Sequence, residues 1–205
     1  MDIVRNAESR WNQTSLITRR DALKISYVFN TYDRDFIGIT SGYTAEQIKD
    51  ELEKEAWLYG MNSYYGNYRT ARKFEFSDIE PLSYDYKLAA SLFYYNLITG
   101  QEQDGKLYAN FDNNMTYNEA FVTVCRMLST SSGSRFYADL YIAKYYYENN
   151  QEVCNPYYQF CIDTGMINCK NALSEYEMNI YPEQLEENIT AYEYLYLVNQ
   201  ALYIH

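Results

Sequence analysis

At 205 residues the chain is long enough to bury a hydrophobic core without a metal or an obligatory disulfide. Its 17 Lys and Arg against 28 Asp and Glu leave a net charge of −11, which repels phosphate backbones and argues against nucleic-acid partners. Aromatics make up 18%, with 26 tyrosines against 8 Gly and 3 Pro, unlike a disordered polar chain, and no apolar run nears the ~20 residues of a membrane-spanning helix, so no membrane insertion is expected.

The start Met1-Asp2-Ile3-Val4-Arg5 lacks the basic and then apolar run of a secretory signal; an exported protein would have had its signal removed or replaced. The first predicted helix lies in LITRRDALKISYVFN, from Leu16, with Thr18 as its N-cap. A second starts at Thr44, with Gln47 as its box partner, and runs to Gly60. A third follows Ser83, with Leu88, Ala89, Leu92, Phe93 and Leu97 on one face and Gly100 at its left-handed end. The fourth begins at Thr116, STSSGS at 129–134 reads as a linker, and a fifth helix starts near Phe136. Asn155 caps a sixth, with Pro156 in its first turn and Gly165 at its end, and Thr190 caps the last.

Three of these starts share one grammar. Thr18, Thr116 and Thr190 are each followed three residues on by an acid, Asp21, Glu119 and Glu193, which is the capping box. The threonine oxygen accepts from the backbone at the acid's position, and the carboxylate reaches back and favours the positive helix end. An apolar residue precedes each cap, Ile17, Met115 or Ile189, and Ala22, Ala120 or Tyr194 lies four beyond it, as in a hydrophobic staple. The inward face is expected at Ala22, Leu23, Ser26, Tyr27 and Asn30; at Ala120, Phe121, Val124, Cys125 and Leu128; and at Tyr194, Leu195, Val198, Asn199 and Leu202. One capping box says little, but three with the same staple indicate a repeated unit.

Little else in the chain carries chemistry. Cys125, Cys154, Cys161 and Cys169 form no C-x-x-C pair, so buried thiols are expected, with extracellular disulfides left open. The single histidine is the last residue, His205, which leaves no His-based metal site or triad. Asp33 with Asp35 and Glu186 with Glu187 read as solvated surface rather than as a glycosidase pair. TYDRDFIGIT and QEQDGKLYANFDNN lack the alternating acids of a calcium loop and read as turns. Trp11, Trp57 and Tyr145-Tyr146-Tyr147 are expected to pack. No phosphate-binding glycine loop or nucleophile elbow occurs. No enzyme activity, catalytic residue, cofactor or metal is therefore expected.

The segment from Phe76 to Leu128 resembles a complete S-layer homology repeat. It matches at Phe76, Asp78 and Ile79, at Tyr84 for the aromatic, at Leu97 to Gly100, at Asp104-Gly105 with Leu107, and at Thr116 with Glu119. A third copy keeps Tyr157 or Tyr158, Gly165, Thr190 and Glu193; a first keeps only Thr18-Arg19-Arg20-Asp21 and its helix. The caps lie 98 and 74 residues apart, and the extra helices account for the added length.

The resemblance implies an all-α fold of three helix-loop-helix repeats in a pseudo-threefold bundle with additional helices between repeats. As one module of 205 residues, it would comprise a partial first repeat with an inserted helix (1–72), the best-preserved repeat (73–130), and an inserted helix with the third repeat (131–205). The function implied is noncatalytic anchoring on the bacterial cell wall or surface, outside the cell, through anionic and often pyruvylated secondary cell-wall polysaccharide. In that family the arginine of T-R-x-E contacts the acidic sugar, a pairing for which guanidinium is suited. Here that position holds Arg19, Tyr117 and Ala191, so Arg19 is the charged candidate, in a groove with Tyr84 and Gly100. Loss of the other two arginines leaves an alternative, a decayed scaffold that binds another surface protein.

Overall fold

The computed structural model describes residues 14–30, 47, 74–94, 97–131, 155–168 and 177–203. The expected helix from Phe136, Trp11, Trp57, Tyr145 to Tyr147, Asp33, Asp35, Cys154, Cys169 and His205 lie outside the described residues, as does the helix from Thr44 apart from Gln47, which is helical. In chain order the elements are α1 (Arg19–Asn30), α2 (Tyr84–Tyr94), β1 (Gln101–Gln103), β2 (Lys106–Tyr108), α3 (Tyr117–Ser131), α4 (Pro156–Asp163), a 3-10 turn (Pro182–Gln184) and α5 (Ala191–Tyr203). The first residues of the expected linker, Ser129 to Ser131, belong to α3.

The all-α expectation, with its pseudo-threefold bundle of helix-loop-helix repeats, is corrected. Of the described residues 51% are helical and 12% are strand, with a two-stranded antiparallel sheet, a mixed α/β composition. β1 and β2 pair Gln101 with Tyr108 and Gln103 with Lys106 across Asp104-Gly105, both at positive φ (51° and 72°). That is the Asp-Gly turn whose twist matches a tight hairpin. The rest of the extended structure is a set of single bridges at the starts of helices.

The chain forms two compact units, Met1–Ser26 with Asp112–His205, and Tyr27–Phe111. In the second, Phe74 packs edge-on against Phe76, Tyr86 and Phe93 at 5.1 to 5.5 Å, over buried Leu88, Leu92, Leu97 and Ile98. Phe76 bridges Leu107, and the Ser77 N–H donates to the Leu107 carbonyl at 2.7 Å, which fastens this segment to β2. Asp78 then accepts from two backbone amides, Ala109 at 2.8 Å and Asn110 at 2.7 Å, and so holds the chain leaving β2. Phe76 and Asp78, two of the positions that carry the resemblance, are thus explained by folding.

In the first unit α3 buries the five expected positions from Ala120 to Leu128. Helix α5 departs from its predicted stripe: Asn199 is exposed and Leu202 is 41% exposed, whereas Ala191, Tyr194, Leu197, Val198 and Ala201 are buried. The buried set keeps helical spacing but lies on a face rotated from the expected one. In α1 Ala22, Leu23, Ile25 and Ser26 are buried and Tyr27 is half-buried; the Asn30 side chain lies outside the description.

Helix α4 has the predicted ends. Asn155 Oδ1 accepts from the amides of Tyr157 (2.9 Å) and Tyr158 (3.1 Å), and Pro156 occupies the first turn. At the other end Gly165, at φ 74°, donates to Ile162 O (2.9 Å) and Met166 donates to Cys161 O (2.9 Å). This is the paired closure of a Schellman end, which needs the left-handed conformation that glycine adopts without strain. Helix α2 ends with the same bonds from Leu97 and Ile98 to Leu92 O that Met166 and Ile167 make to Cys161 O. Leu97, Ile98, Met166 and Ile167 are all buried, so the two ends are equivalent in packing as well as in bonding.

Candidate functional site

The three capped starts converge in the first unit. A residue just before an N-cap is extended, so its amide and carbonyl need partners outside the helix. Here they find one another. Met115 N–H donates to Ile17 O (2.9 Å), Ile189 N–H to Met115 O (2.9 Å), and Ile17 N–H to Ile189 O (3.3 Å), closing a ring. All three side chains are fully buried.

A second ring surrounds the first. Arg19 N–H donates to Asn113 O, Tyr117 N–H to Glu187 O, and Ala191 N–H to Ser15 O, at 2.8 to 3.0 Å. The antiparallel bridges Thr18 to Asn114, Thr116 to Asn188 and Thr190 to Leu16 follow the same order, each start joined to the next and the third back to the first.

The threonine cap forms at all three starts inside this junction, and the reciprocal carboxylate bond completes the box at Thr116 and Thr190. Thr18, Thr116 and Thr190 Oγ1 accept from the amides of Asp21, Glu119 and Glu193 at 3.2 to 3.3 Å. Glu119 Oε2 accepts from Thr116 N–H (3.1 Å), and Glu193 Oε2 accepts from the Thr190 amide (2.9 Å) and hydroxyl (2.7 Å). Their other oxygens face the neighbouring start. Glu119 Oε1 accepts from the Arg19 guanidinium, and Glu193 Oε1 accepts from the Tyr117 hydroxyl at 2.8 Å.

Each glutamate therefore does two jobs with two oxygens, capping its own helix and tying it to the preceding start. The slot that donates is the residue after the threonine, held by arginine in the first copy and tyrosine in the second. In the third it is Ala191, which has no side-chain donor and is fully buried. One position further along, Arg20 meets Asp112 (3.0 Å) and Asn118 donates to Glu186 (3.2 Å), again in the same order. These outer pairs are solvated and contribute little.

No family model, curated protein or solved structure matches this chain.

Of the candidate ligand contacts, Arg19 lies in the first unit and is only 8% exposed, with its guanidinium on Glu119. Tyr84 and Gly100 lie in the second unit. Tyr84, at the start of α2, is 67% exposed. Gly100 has φ 75°, and a Cβ there would come within 2.6 Å of Leu107 and 2.7 Å of Phe76, so both backbone and packing require glycine. Glu119 and Glu193 are the residues that sequence reasoning left as caps alone. The repeated spacing located both, but nothing local to it shows that a second donor comes from another copy.

Among the described residues no group of three or more His, Cys, Asp or Glu side chains is placed to hold a metal ion, and no helix is long and apolar enough to cross a membrane. Among the described residues, Ser91 Oγ donates to the Lys87 carbonyl and Thr123 Oγ1 to the Glu119 carbonyl, both at 2.8 Å. Ser26 Oγ and Tyr194 OH lie 2.6 Å apart, and burial pushes the Tyr194 phenol above its ordinary value despite that bond.

Proposed function

We propose that this chain is a noncatalytic module of a bacterial cell surface, similar in sequence to degenerate S-layer homology repeats and serving as a scaffold for another surface protein. One observation carries the reading: the arginine that would meet an acidic sugar is buried and committed to Glu119. A guanidinium buried against a carboxylate is largely neutralised and screened from a second anion, and freeing it from that pair costs several kcal/mol, on the order of 3–5. The equivalent slots, Tyr117 on Glu193 and buried Ala191, offer an anionic polymer no cation either. The net charge of −11 opposes a polyanion further. In the first unit, exposed Tyr181 and Tyr192 supply the amphipathic aromatic side chains that protein interfaces favour.

A second reading, anchoring to secondary cell-wall polysaccharide, is favoured by Tyr84, an exposed ring at the family's aromatic position. Sedimentation with purified wall and with wall stripped of its secondary polymer separates the two. The scaffold reading expects equal recovery from both and no loss on Tyr84→Ala. Recovery confined to polymer-bearing wall, and lost in Tyr84→Ala, would overturn it in favour of anchoring.

A further inference from the structure

Cys125 on α3 and Cys161 on α4 are both fully buried free thiols, and their sulfurs lie 3.9 Å apart. That is van der Waals contact between two groups from helices that start in different copies of the repeat. The geometry points to a covalent role: Cys125 and Cys161 are a disulfide-forming pair that cross-links α3 to α4.

A disulfide needs its sulfurs at about 2.05 Å and its Cβ atoms roughly 3.5–4.5 Å apart. Sulfurs already touching have to approach by only about 1.9 Å, shared between two side chains that each turn about one bond. Cys125 Sγ also lies 3.9 Å from the Tyr157 carbonyl, a weak thiol contact that is given up at little cost.

The chemistry is thiol–disulfide exchange with a small external disulfide. One thiolate attacks it and releases one thiol as a mixed disulfide forms; the second cysteine displaces the other half as a second thiol. Two electrons and two protons pass from the cysteine pair to the small disulfide. Burial, reinforced by neighbouring Cys125, holds the Cys161 thiol far above its ordinary value, so the thiolate that must attack is scarce once the chain has folded. The bond therefore forms as the chain folds in an oxidising medium, and a molecule folded under reducing conditions resists later oxidation. This holds whichever reading of the protein's role is right.

The test unfolds the full-length chain in urea with a reductant and dilutes it into mixed reduced and oxidised glutathione. Remaining thiols are alkylated, and the digest is read by mass spectrometry. Cys125 and Cys161 are expected in one linked pair of peptides, in the parent chain and in a Cys154→Ser/Cys169→Ser variant alike. The cross-link closes a span of 36 residues, so the thermal midpoint should stand roughly 5–15 °C above that of the reduced protein. Recovery of both cysteines as alkylated thiols, or of either joined to Cys154 or Cys169, overturns the proposal.

Discussion

Replacing Arg19 with methionine keeps most of the side-chain volume and removes the charge that ties α1 to Glu119. In the parent the two side chains are 10% and 19% exposed, so the carboxylate cannot recover full hydration when its partner is lost. One of its oxygens still caps α3 through the Thr116 amide; the other loses a charge-assisted donor. The expected loss is about 2–4 kcal/mol in urea unfolding, less than for a wholly enclosed pair because Glu119 keeps a little water. For a chain of this size that is roughly 4–16 °C in thermal midpoint. Glu119→Gln preserves an oxygen for the cap while cancelling the charge, so the double variant isolates the contact between copies. A coupling of about 1–3 kcal/mol is expected between the two substitutions. Arg19→Met within about 0.5 kcal/mol of the parent, or zero coupling, would show that the arginine is not structural and would refute the reasoning.

Three smaller changes probe the same frame. Tyr117→Phe removes only the hydroxyl bonded to Glu193 and should cost about 1–2 kcal/mol in the same assay, with the ring still stacked on Phe121. Gly100→Ala places a methyl against Phe76 and Leu107 at a left-handed backbone and should cost about 1–3 kcal/mol, read as a lower urea midpoint. The Tyr194 phenol is held neutral by burial, so the unfolded chain loses that proton first as pH rises. Its contribution is present below about pH 10 and is lost above it, and Tyr194→Phe should make the alkaline limb of a stability–pH curve shallower.

Much of this junction was legible in the sequence because capping is local. A threonine, an acid three residues on and an apolar residue before them sit within one turn, and Thr18, Thr116 and Thr190 all start helices. The ends at Asn155 and Gly165 were legible for the same reason. What the spacing does not contain is the partner across the junction. Glu119 reads as a cap with one function, and only the folded chain shows its second oxygen on a residue 100 positions away.

The same limit explains the other departures. The extended residues before each cap look like loop, because a single bridge leaves no alternation to detect, and nothing in the spacing counters the all-α fold that the resemblance implies. QEQDGKLYANFDNN reads as a turn, and its Asp104-Gly105 pair joins strands of three residues, too short for periodicity to reveal. On α5 the apolar residues surround most of the helix, and Leu202 competed with Leu197 and Ala201 for the inward face until packing chose between them.

Scalar couplings across hydrogen bonds, measured on the isotope-labelled protein by NMR, address the central claim most directly. The three bonds from Met115 to Ile17, Ile189 to Met115 and Ile17 to Ile189 should each give a cross-peak between amide nitrogen and carbonyl carbon. Cross-peaks joining these amides to other carbonyls, or one start that lacks its coupling while the other two retain theirs, would contradict a closed ring of equivalent helix starts.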